Sequence, residues 1–403
     1  MNIQKTILVL FCLIAFGSCK QNTSKSTDTK ESKWFKGNLH THSYWSDGDE
    51  FPEPILAWYK SKGYHFLSLT DHNILAEGEK WIEIKADSIY QNAFKKYLND
   101  YGSTWVDYKI DSGKTLVKLK TYTEYKNKFE EPGKFLTIQS EEITDSFENK
   151  PLHMNATNVE QKIIPAGGGS VAEVLQNNLN QVLKQRKETG TPMFPHVNHP
   201  NFGYGVDLED MISLKGERFF EVYNGHPMVH NMGDSVHIST ENMWDLINIS
   251  YLNDKKPIMY GLATDDSHHY HKTGSSWSNA GRGWVMVHAD TLSPKSLINA
   301  MEDGKFYAST GVQLKTISNI SNKLLVEVTT EPGTTFTIDF IGCLKGDTET
   351  RILKTVQGQK AKYKLPENLL FVRSKITSTK KQNNPIEDLI YEMAWTQPIE
   401  RSN

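Results

Sequence analysis

The stretch GNLHTHSYWSDG, residues 37–48, begins like a strand and then places two histidines one residue apart, with an aspartate five residues further on. His40, His42 and Asp47 are its candidate metal ligands. The chain has 14 histidines in 403 residues, so about half of one such His-x-His pair is expected by chance. The pair alone is therefore a weak signal, and its meaning depends on the rest of the chain.

Similar side chains stand at or near the ends of the other predicted strands. These strands are HFLSLT (65–70), KFLTIQS (134–140), LHMNATNV (152–159), MFPHV (193–197), RFFEVYN (218–224) and PIMYGLAT (257–264). The side chains in question are Asp71, His72, Glu141, Glu142, His153, His196, His199, Asp265, Asp266 and His268. The carboxyl ends of parallel strands meet on one face of a barrel, so we expect these groups to lie together.

Buried acidic and imidazole groups that converge need cations between them, because unpaired charges are costly away from water. Mixed sets of histidine and carboxylate suit divalent zinc, manganese or iron, and the lack of cysteines argues against a structural zinc site. The number of candidate ligands exceeds what one ion needs, so we predict two or three cations. The alternative is a scatter of polar residues at strand ends without a common site.

Helix-like patterns separate some of the strands, which predicts an α/β fold with a parallel sheet or barrel. Helices are expected at 54–62, at 241–252 and after Ser170, whose hydroxyl can cap the helix while Glu173 reaches back. Residues 74–133 interrupt the alternation as an insertion. After residue 311 the strands become short, alternating and separated by turns, which is typical of a small antiparallel β-sandwich.

The first residues have the pattern of an export signal. Residues 1–19 combine Lys5, an apolar run too short to span a bilayer, and small residues before Cys19, an arrangement typical of a bacterial lipoprotein signal peptide. The alternative is an ordinary secretory signal. Residues 20–33 form a polar tether. We expect an exported, lipid-anchored protein of the cell envelope, facing the periplasm or held at the outer membrane, whose only membrane contact is the lipid on Cys19.

Composition excludes some function classes. The net charge is −3, which gives no indication of nucleic-acid binding. After removal of the signal peptide and lipidation of Cys19, Cys343 would be the only free cysteine. No disulfide is therefore expected inside the mature protein.

Taken together and in order, the motifs HTHSYWSDG, TDHN, EEIT, HP and TDDSH resemble the polymerase and histidinol phosphatase (PHP) family of metallohydrolases. The closer resemblance is to an exported branch that includes carbaryl-hydrolase-like enzymes and carries a C-terminal β-domain. FYASTG (306–311) and AWTQPI (394–399) are similar to that branch. The resemblance implies a distorted seven-stranded (β/α) barrel over residues 34–311, followed by a β-sandwich domain over 312–403.

The resemblance also implies a set of metal ligands. It assigns nine residues to three ions: His40, His42 and Asp266 to the first, with Glu142 bridging to a second held by His153 and His199, and Asp47, His72 and His268 to the third. Of these, Asp47, Glu142 and His268 would also act in catalysis. The neighbours Glu141, His196 and Asp265 would instead accept hydrogen bonds that orient ligand histidines.

The residues that bind substrate are less clearly marked. Asn224 and His226 follow a predicted strand end and Arg282 stands between glycines, so these three are candidates for the pocket, Arg282 as a phosphate ligand. A polar loop and a surface arginine are equally ordinary interpretations. The proton for the leaving group has four candidate donors, namely Asp47, Glu141, His226 and His269.

Three functions fit these features. The first is a phosphoesterase in which the cations activate water against a small or polymeric phosphomonoester or phosphodiester. The second is a hydrolase of carbamates, amides or carboxylic esters that uses the same metal centre. The third is an inert, lipid-anchored module whose C-terminal domain binds glycans.

Overall fold

The computed structural model describes residues 32–387 and 389–402. The predicted signal peptide, Cys19 and nearly all of the predicted tether lie outside these ranges. No helix within the ranges is both long and apolar enough to cross a membrane. Cys343, the one cysteine in the described part of the chain, is buried and carries a free thiol.

Strands and helices alternate through the first part of this chain, as the sequence predicts. In chain order the elements are β1 (Lys33–Asn38), α1 (Pro52–Ser61), β2 (Phe66–Leu69), β3 (Trp81–Glu83), α2 (Ser88–Tyr101), β4 (Tyr108–Asp111), β5 (Lys114–Lys118), α3 (Tyr122–Phe129), β6 (Leu136–Phe147), β7 (Lys150–Thr157), α4 (Val171–Thr189), β8 (Phe194–Val197), α5 (Leu208–Ser213), β9 (Phe219–Asn224), α6 (Thr240–Asn253) and β10 (Tyr260–Thr264). The predicted strands correspond to β1, β2, β6, β7, β8, β9 and β10, and the predicted helices to α1, α4 and α6.

The same seven strands are neighbours in one sheet, in the order β10-β9-β8-β7-β6-β2-β1. The pairs β1–β2, β2–β6, β8–β9 and β9–β10 are parallel. The pairs β6–β7 and β7–β8 are antiparallel. A tight turn at residues 148–149 joins β6 to β7 without a crossover helix, and such a hairpin can only pair antiparallel. The predicted mixed α/β fold is confirmed, with this hairpin as an unpredicted departure from parallel pairing.

The outer strands β1 and β10 approach each other at their carboxyl ends. Thr41 and Ser267 form an isolated parallel bridge there, in which the His42 amide donates to the Ser267 carbonyl at 2.9 Å. No continuous ladder joins β1 to β10 within residues 32–387. Closure of the sheet into a barrel therefore stays a prediction.

Helix α4 shows how local sequence sets the boundaries of an element. The Ser170 hydroxyl accepts a hydrogen bond from the Glu173 amide, as predicted for its N-cap. Glu173 reaches back one residue further than the capping pattern predicts, because its carboxylate accepts from the Gly169 amide at 2.7 Å. The helix ends at Gly190, whose φ of 73° is left-handed and favours glycine.

The predicted insertion at 74–133 forms a small layer of its own. Strands β3, β4 and β5 form a three-stranded sheet. Side chains of α2 and α3, including Tyr97 and Tyr125, share one hydrophobic cluster with Ile55 of α1 and with Trp45. The insertion therefore supports α1 and the loop that follows β1.

The remaining elements are β11 (Trp284–Ala289), α7 (Pro294–Glu302), β12 (Phe306–Ser309), β13 (Leu314–Asn319), β14 (Lys323–Val328), β15 (Phe336–Leu344), β16 (Arg351–Gln357), β17 (Lys360–Lys364), β18 (Leu369–Lys381) and β19 (Tyr391–Thr396). The large sheet continues from β1 through β11-β12-β19-β18-β15-β16, and β13-β14-β17 form a separate antiparallel sheet. Val326 and Phe340 belong to one cluster of buried side chains between these sheets. The predicted antiparallel sheet is confirmed, while the sandwich domain and its boundary at 311–312 stay predictions.

Candidate metal centre

The nine predicted metal ligands come together at one end of the seven-stranded part of the sheet. They lie in or after six strands and in one loop: His40 and His42 follow β1, Asp47 lies in the loop beyond, His72 follows β2, Glu142 is inside β6, His153 is inside β7, His199 follows β8, and Asp266 and His268 follow β10. Four smaller groups drawn from these nine have ligand atoms within 4.8 Å of one another. The structure thus gathers residues that are up to 228 positions apart (from His40 to His268) in the chain.

Glu142 lies at the centre of this cluster. Its Oε2 atom is 3.3 Å from His40 Nε2 and 3.1 Å from His42 Nε2. Its Oε1 atom is 3.0 Å from His153 Nδ1 and 3.5 Å from His199 Nε2. Strand β6 is longer than predicted, so Glu142 sits within it rather than at its end. One carboxylate therefore contacts two sets of histidines, while its role as a bridging ligand, which the family resemblance implies, stays a prediction.

Asp266 completes the first set. Its Oδ1 atom is 3.2 Å from His40 Nε2 and 3.3 Å from His42 Nε2. Two ligands that bind one ion at metal–ligand distances of about 2.1 Å lie roughly 3.0–3.5 Å apart. The spacing of these atoms fits a shared cation, and Asp266 Oδ2 also lies 3.9 Å from His199 Nε2.

Asp47, His72 and His268 form the third set, with His42 beside them. Asp47 Oδ2 is 3.5 Å from His72 Nε2, and Asp47 Oδ1 is 3.4 Å from His268 Nε2. The side chain of Asp47 is 57% exposed, the highest value among the nine. This set therefore lies at the side of the cluster that is open to solvent.

The cluster contains polar atoms that protein groups leave unsatisfied. Among the described residues, His40 Nε2, His42 Nε2, His153 Nδ1 and Glu142 Oε2 are buried and have no hydrogen-bond partner. Each such atom costs about 1–3 kcal/mol when it is left unpaired. Burial opposes the ionisation of Glu142, but the charges of His40 and His153 hold the pKa of its carboxyl well below its usual range. An ionised carboxylate facing imidazole nitrogens is a donor set that fits divalent cations.

The backbone at Asp266 has a left-handed conformation, with φ of 49°. This conformation is uncommon for a residue other than glycine and costs free energy of order 1 kcal/mol or more. The Asp266 amide donates to the His40 carbonyl at 3.0 Å, and that bond holds the strand end in place. The strained turn presents the Asp266 carboxylate to both His40 and His42.

Asp71 is an anchor whose role the sequence did not indicate. Its Oδ1 accepts from the Ser43 amide at 2.8 Å and from the Ser46 hydroxyl at 2.7 Å, and its Oδ2 accepts from the Ser43 hydroxyl at 2.7 Å. These bonds fold the loop after β1 over the end of β2. Because Asp47 directly follows Ser46, the anchor sets where Asp47 can reach.

Glu221 of β9 is a second residue whose role was missed. It is fully buried, and its Oε1 atom lies 2.7 Å from His40 Nδ1, so that His40 presents Nε2 to the cluster. Carboxylates in this position fix the tautomer and orientation of metal-binding histidines. The available signal was an acidic residue inside the apolar strand FFEVYN, where a buried charge requires a partner.

Asn198 supports Glu142 in a comparable way. Its Nδ2 group donates to Glu142 Oε1 at 2.7 Å, and its Oδ1 atom accepts from the Asn155 amide at 3.0 Å. Thr144 Oγ1 lies 2.5 Å from His72 Nδ1 on the open side of the cluster. Neither contact was predicted, because the first depends on how β6, β7 and β8 align and the second on how the end of β2 aligns with β6.

The predicted role of Arg282 is wrong. The side chain is 2% exposed, and its guanidinium donates to four backbone carbonyls, those of Gly225, Gly274, Trp277 and Asn384, at 2.6–2.9 Å. These bonds use four of the five N–H donors of the guanidinium, and the single remaining donor is too few for the paired contact by which arginine binds phosphate. Arg282 instead ties its own loop, between β10 and β11, to the loop after β9 and to the segment at Asn384.

Asp265 helps to hold the loop that carries Arg282, and it does not orient a ligand histidine as predicted. Its Oδ1 atom accepts from the amides of Arg282 and Gly283 at 2.6 and 2.7 Å. Its Oδ2 atom accepts from the Tyr59 hydroxyl at 2.7 Å and from the Gly281 amide at 2.8 Å. Successive residues at the end of β10 diverge, so Asp266 enters the cluster while Asp265 holds the 281–283 loop.

Glu141 also differs from its prediction. Its carboxylate accepts from the Ile163 amide at 2.5 Å and contacts no ligand histidine. Successive side chains of a strand point to opposite faces, so Glu142 faces the cluster and Glu141 faces the helix layer. This placement also removes Glu141 as a donor for the leaving group.

Asn224 is fully buried and is not part of an open pocket. Its Nδ2 group donates to Glu221 Oε2 at 2.8 Å and to Asp266 Oδ2 at 3.1 Å. The predicted substrate contact is therefore replaced by a role in holding two buried carboxylates. His196 is fully buried as well, with Nε2 at 3.5 Å from Glu221 Oε1, behind His40. It contacts Glu221 rather than orienting a ligand through a hydrogen bond.

His226 is the one substrate candidate that the structure places at the opening. Its ring lies 5.5 Å from that of His268 and 5.8 Å from that of Phe202, centre to centre. Burial lowers the pKa of His226 to about 4, so the ring is neutral at neutral pH. His226 Nδ1 accepts from the Met228 amide at 3.2 Å, which leaves the proton of the neutral ring on Nε2. His269, the remaining candidate proton donor, bonds to Ser278, whose amide donates to its Nδ1 at 3.3 Å.

Comparisons with known proteins give only distant likenesses. No protein-family model and no curated protein matches this chain. A two-domain protein from Bacteroides vulgatus, containing a predicted PHP-like metal-dependent phosphoesterase, is 13% identical over 91% of this chain and 96% of its own, with a TM-score of 0.40. A proposed metal-dependent phosphoesterase from Bifidobacterium adolescentis is 11% identical over 59% of this chain and 88% of its own, with a TM-score of 0.30. At these low scores, the assignment of the site depends on its own geometry.

Proposed function

We propose that this protein is a metal-dependent hydrolase of the PHP type, built on a closed, distorted barrel with a C-terminal sandwich domain. The observation that carries the proposal is the convergence of unbonded buried atoms from His40, His42 and His153 on the carboxylate of Glu142. Two or three divalent cations, with zinc, manganese and iron as candidates, would satisfy these atoms.

The nine clustered side chains would hold the cations in the three sets described above. Cations bound there supply Lewis acidity, which activates water as a nucleophile and polarises the ester under attack. The protein's own part is to fix which ring nitrogen of a ligand histidine faces the cluster. His40 donates its Nδ1 proton to Glu221, and His268 directs Nδ1 to the Asp266 carbonyl at 2.9 Å. In both rings Nε2 is thereby left as the metal-binding atom.

Substrate would enter beside Asp47, His226 and Phe202, where the cluster is open. Because the neutral His226 ring carries its proton on Nε2, this group can donate a hydrogen bond to an oxygen of the substrate. Asp47 is the most exposed carboxylate of the cluster. Burial opposes its ionisation, but hydrogen bonds with His268 and His72 hold its pKa well below its usual range, so it stays ionised as a ligand. Of the predicted proton donors, His226 is the one that carries a proton beside the cluster.

The preferred substrate class is phosphomonoesters or phosphodiesters, whether small or polymeric. Glu142 belongs to two adjacent ligand sets, and a pair of cations held there would favour phosphoryl transfer, in which both the attacking and the leaving oxygen need stabilisation. The cell envelope is the proposed location, with lipid on Cys19 as the only membrane attachment and no nucleic-acid partner. Cys19→Ala should move the protein from the membrane fraction to the soluble fraction of cells, and unchanged membrane attachment would count against the anchor.

A second candidate function has one specific observation in its favour. Arg282, the one arginine predicted to bind phosphate, is occupied by backbone carbonyls, so the anionic charge of a phosphate lacks that partner. Phe202 and the neutral ring of His226 offer an aromatic contact at the opening instead. Hydrolysis of carbamates, amides or carboxylic esters at the same metal centre fits this rim.

Substrate assays separate the two candidates. The purified protein is stripped of metal, reconstituted with manganese, zinc or iron, and assayed with p-nitrophenyl phosphate, bis-p-nitrophenyl phosphate and 1-naphthyl carbamate. We expect metal-dependent turnover of a phosphoester. Metal-dependent turnover of the carbamate alone would establish the second candidate and refute the first.

Elemental analysis tests the metal centre independently of substrate. We expect two or three ions per chain in the reconstituted protein and a large loss of bound metal in Glu142→Gln. His237→Asn is a control, because His237 pairs with Asp234 outside the cluster. Less than one ion per chain after careful reconstitution would refute the metallohydrolase proposal and favour the inert binding module.

A further inference from the structure

A cavity of about 510 Å³ lies apart from the metal cluster. Its walls come from α1, from α2 of the insertion and from the loop at 269–280, and none of the nine predicted metal ligands lines it. Pockets that bind small molecules have volumes of roughly 300–1,000 Å³. The cavity is therefore large enough for a small organic ligand.

Aromatic rings form much of the wall. Trp58, Tyr97, Tyr101 and Tyr270 line the cavity, together with apolar side chains of α1. The hydroxyl of Tyr97 donates to Glu53 at 2.8 Å, and that of Tyr270 donates to the His42 carbonyl at 2.8 Å. Those two hydroxyls are engaged elsewhere, so the rings offer mainly their apolar surface to an occupant.

Glu50 supplies a carboxylate to this aromatic wall. Its side chain is 12% exposed, and Oε1 accepts from the Phe51 amide at 2.8 Å. Within residues 32–387 and 389–402, no group donates a hydrogen bond to Glu50 Oε2. His271 Nε2 is 3.5 Å from this oxygen and is directed to the Asp49 carbonyl, at 2.9 Å. Burial raises the pKa of Glu50 to about 8. This carboxyl therefore lacks the cationic partner that a buried acidic group needs.

The other charged groups of the wall do not provide that partner. Lys96 hydrogen-bonds to Asp100, and the Lys96 side chain is 76% exposed, which places this pair at the mouth. In the empty cavity Glu50 is mostly protonated at neutral pH, because its pKa lies near 8. A cation beside it favours the ionised form, which gives the wall two carboxylates, one ammonium group and a net charge of −1. A positively charged occupant would balance that charge and find aromatic faces around it, which attract cations.

From these observations we propose that the cavity is a binding site for a small organic cation, either an amine or a quaternary ammonium compound. Glu50 pairs with the charge, and Trp58, Tyr101 and Tyr270 surround it. The site is separate from the proposed hydrolytic centre but shares two loops with it. Glu50 lies three residues after Asp47, and the wall residues 269–271 directly follow His268.

Choline and its uncharged analogue 3,3-dimethylbutan-1-ol test the role of charge, because the two have nearly the same shape. Binding to the purified protein is measured by calorimetry and by the change in its tryptophan fluorescence. We expect choline to bind at least about tenfold more tightly than the alcohol. Equal affinities would show a merely apolar cavity, and no binding of either compound at millimolar concentration would also overturn the proposal.

Two variants test the residues. Glu50→Gln should weaken choline binding by about tenfold or more and leave the weak affinity for the alcohol unchanged. Glu83→Gln is the matched control, because Glu83 is an exposed carboxylate of β3 paired with Lys114. If Glu50→Gln does not fold, Trp58→Leu serves in its place and should weaken choline binding roughly threefold to tenfold through loss of the aromatic face. Wild-type affinity in a folded Glu50→Gln or Trp58→Leu protein would refute the site.

Discussion

Replacing Glu221 with glutamine should weaken metal binding without removing a single predicted metal ligand. Glu221 accepts four hydrogen bonds: on Oε1 from His40 Nδ1 at 2.7 Å and the Thr264 hydroxyl at 2.8 Å, and on Oε2 from the His199 amide at 2.9 Å and Asn224 Nδ2 at 2.8 Å. Glutamine has only one acceptor oxygen. In either orientation its NH2 group must face two of these donors.

Both orientations disturb the cluster. With NH2 beside His40, the ring must accept at Nδ1 and carry its proton on Nε2, the atom that faces the cluster. With NH2 beside His199 and Asn224, the turn that presents His199 loses its acceptor. Changes of this kind typically weaken metal affinity by roughly 10- to 100-fold, or about 1.4–2.8 kcal/mol. We expect a loss of this size for the ion held by His40, with a parallel fall in activity at limiting metal.

The assay is a titration of metal-free protein with zinc or manganese in competition with a fluorescent chelator. Glu217→Gln is the matched control. Glu217 is also buried near β9, but its Oε1 accepts only the amides of Arg218 and Phe219, each at 2.8 Å. Wild-type affinity in Glu221→Gln, or an equal loss in Glu217→Gln, would refute the role given to Glu221.

Three further outcomes are expected. Arg282→Lys should lower the free energy of unfolding, measured in urea, by at least about 2 kcal/mol, because one ammonium group cannot donate to all four carbonyls. Unchanged stability together with a higher KM for a phosphoester would contradict the structural role of Arg282. Asp71→Asn should free the loop that carries Asp47 and remove about one metal ion per chain in elemental analysis, whereas full metal content would show that the loop needs no such anchor. Burial raises the pKa of Glu217 to about 8 from an ordinary value of 4.5, so the stability tied to its proton is complete below about pH 4.5 and is lost as the pH rises through 8. In protein kept free of metal by a chelator, Glu217→Gln should therefore make the free energy of unfolding less dependent on pH between 4.5 and 8. The slope should change by up to about 1.4 kcal/mol per pH unit. Parallel curves for the wild-type and variant proteins would show that Glu217 has an ordinary pKa.

Local patterns in the sequence were sufficient for much of the fold. Each predicted strand of the first part corresponds to a strand, and a helix begins after Ser170, whose hydroxyl caps it as predicted. Such features depend on hydrophobic periodicity and on backbone preferences, which act over a few residues. The β6–β7 hairpin was not predicted, because strand patterns alone do not show whether a tight turn or a helix connects two strands.

The chain alone indicated a wider group of histidines and acids near strand ends, which come together because those ends converge. The selection of nine ligands from that group, including Glu142 over Glu141 and Asp266 over Asp265, came from the family resemblance. Glu141 stands beside Glu142 and Asp265 beside Asp266, yet each pair divides between the cluster and another partner. Choosing within a pair requires the facing of a strand or the direction of a turn.

The sequence by itself determined which chemical groups are available and roughly where each strand ends, because both are local properties. Only the tertiary structure decided which groups meet. In the folded protein, Arg282 donates to four backbone carbonyls rather than to a substrate. Glu221 lies behind His40 and accepts from its Nδ1. Hydrogen-bond partners far apart in the chain are chosen by packing, and packing depends on the whole fold rather than on neighbouring residues.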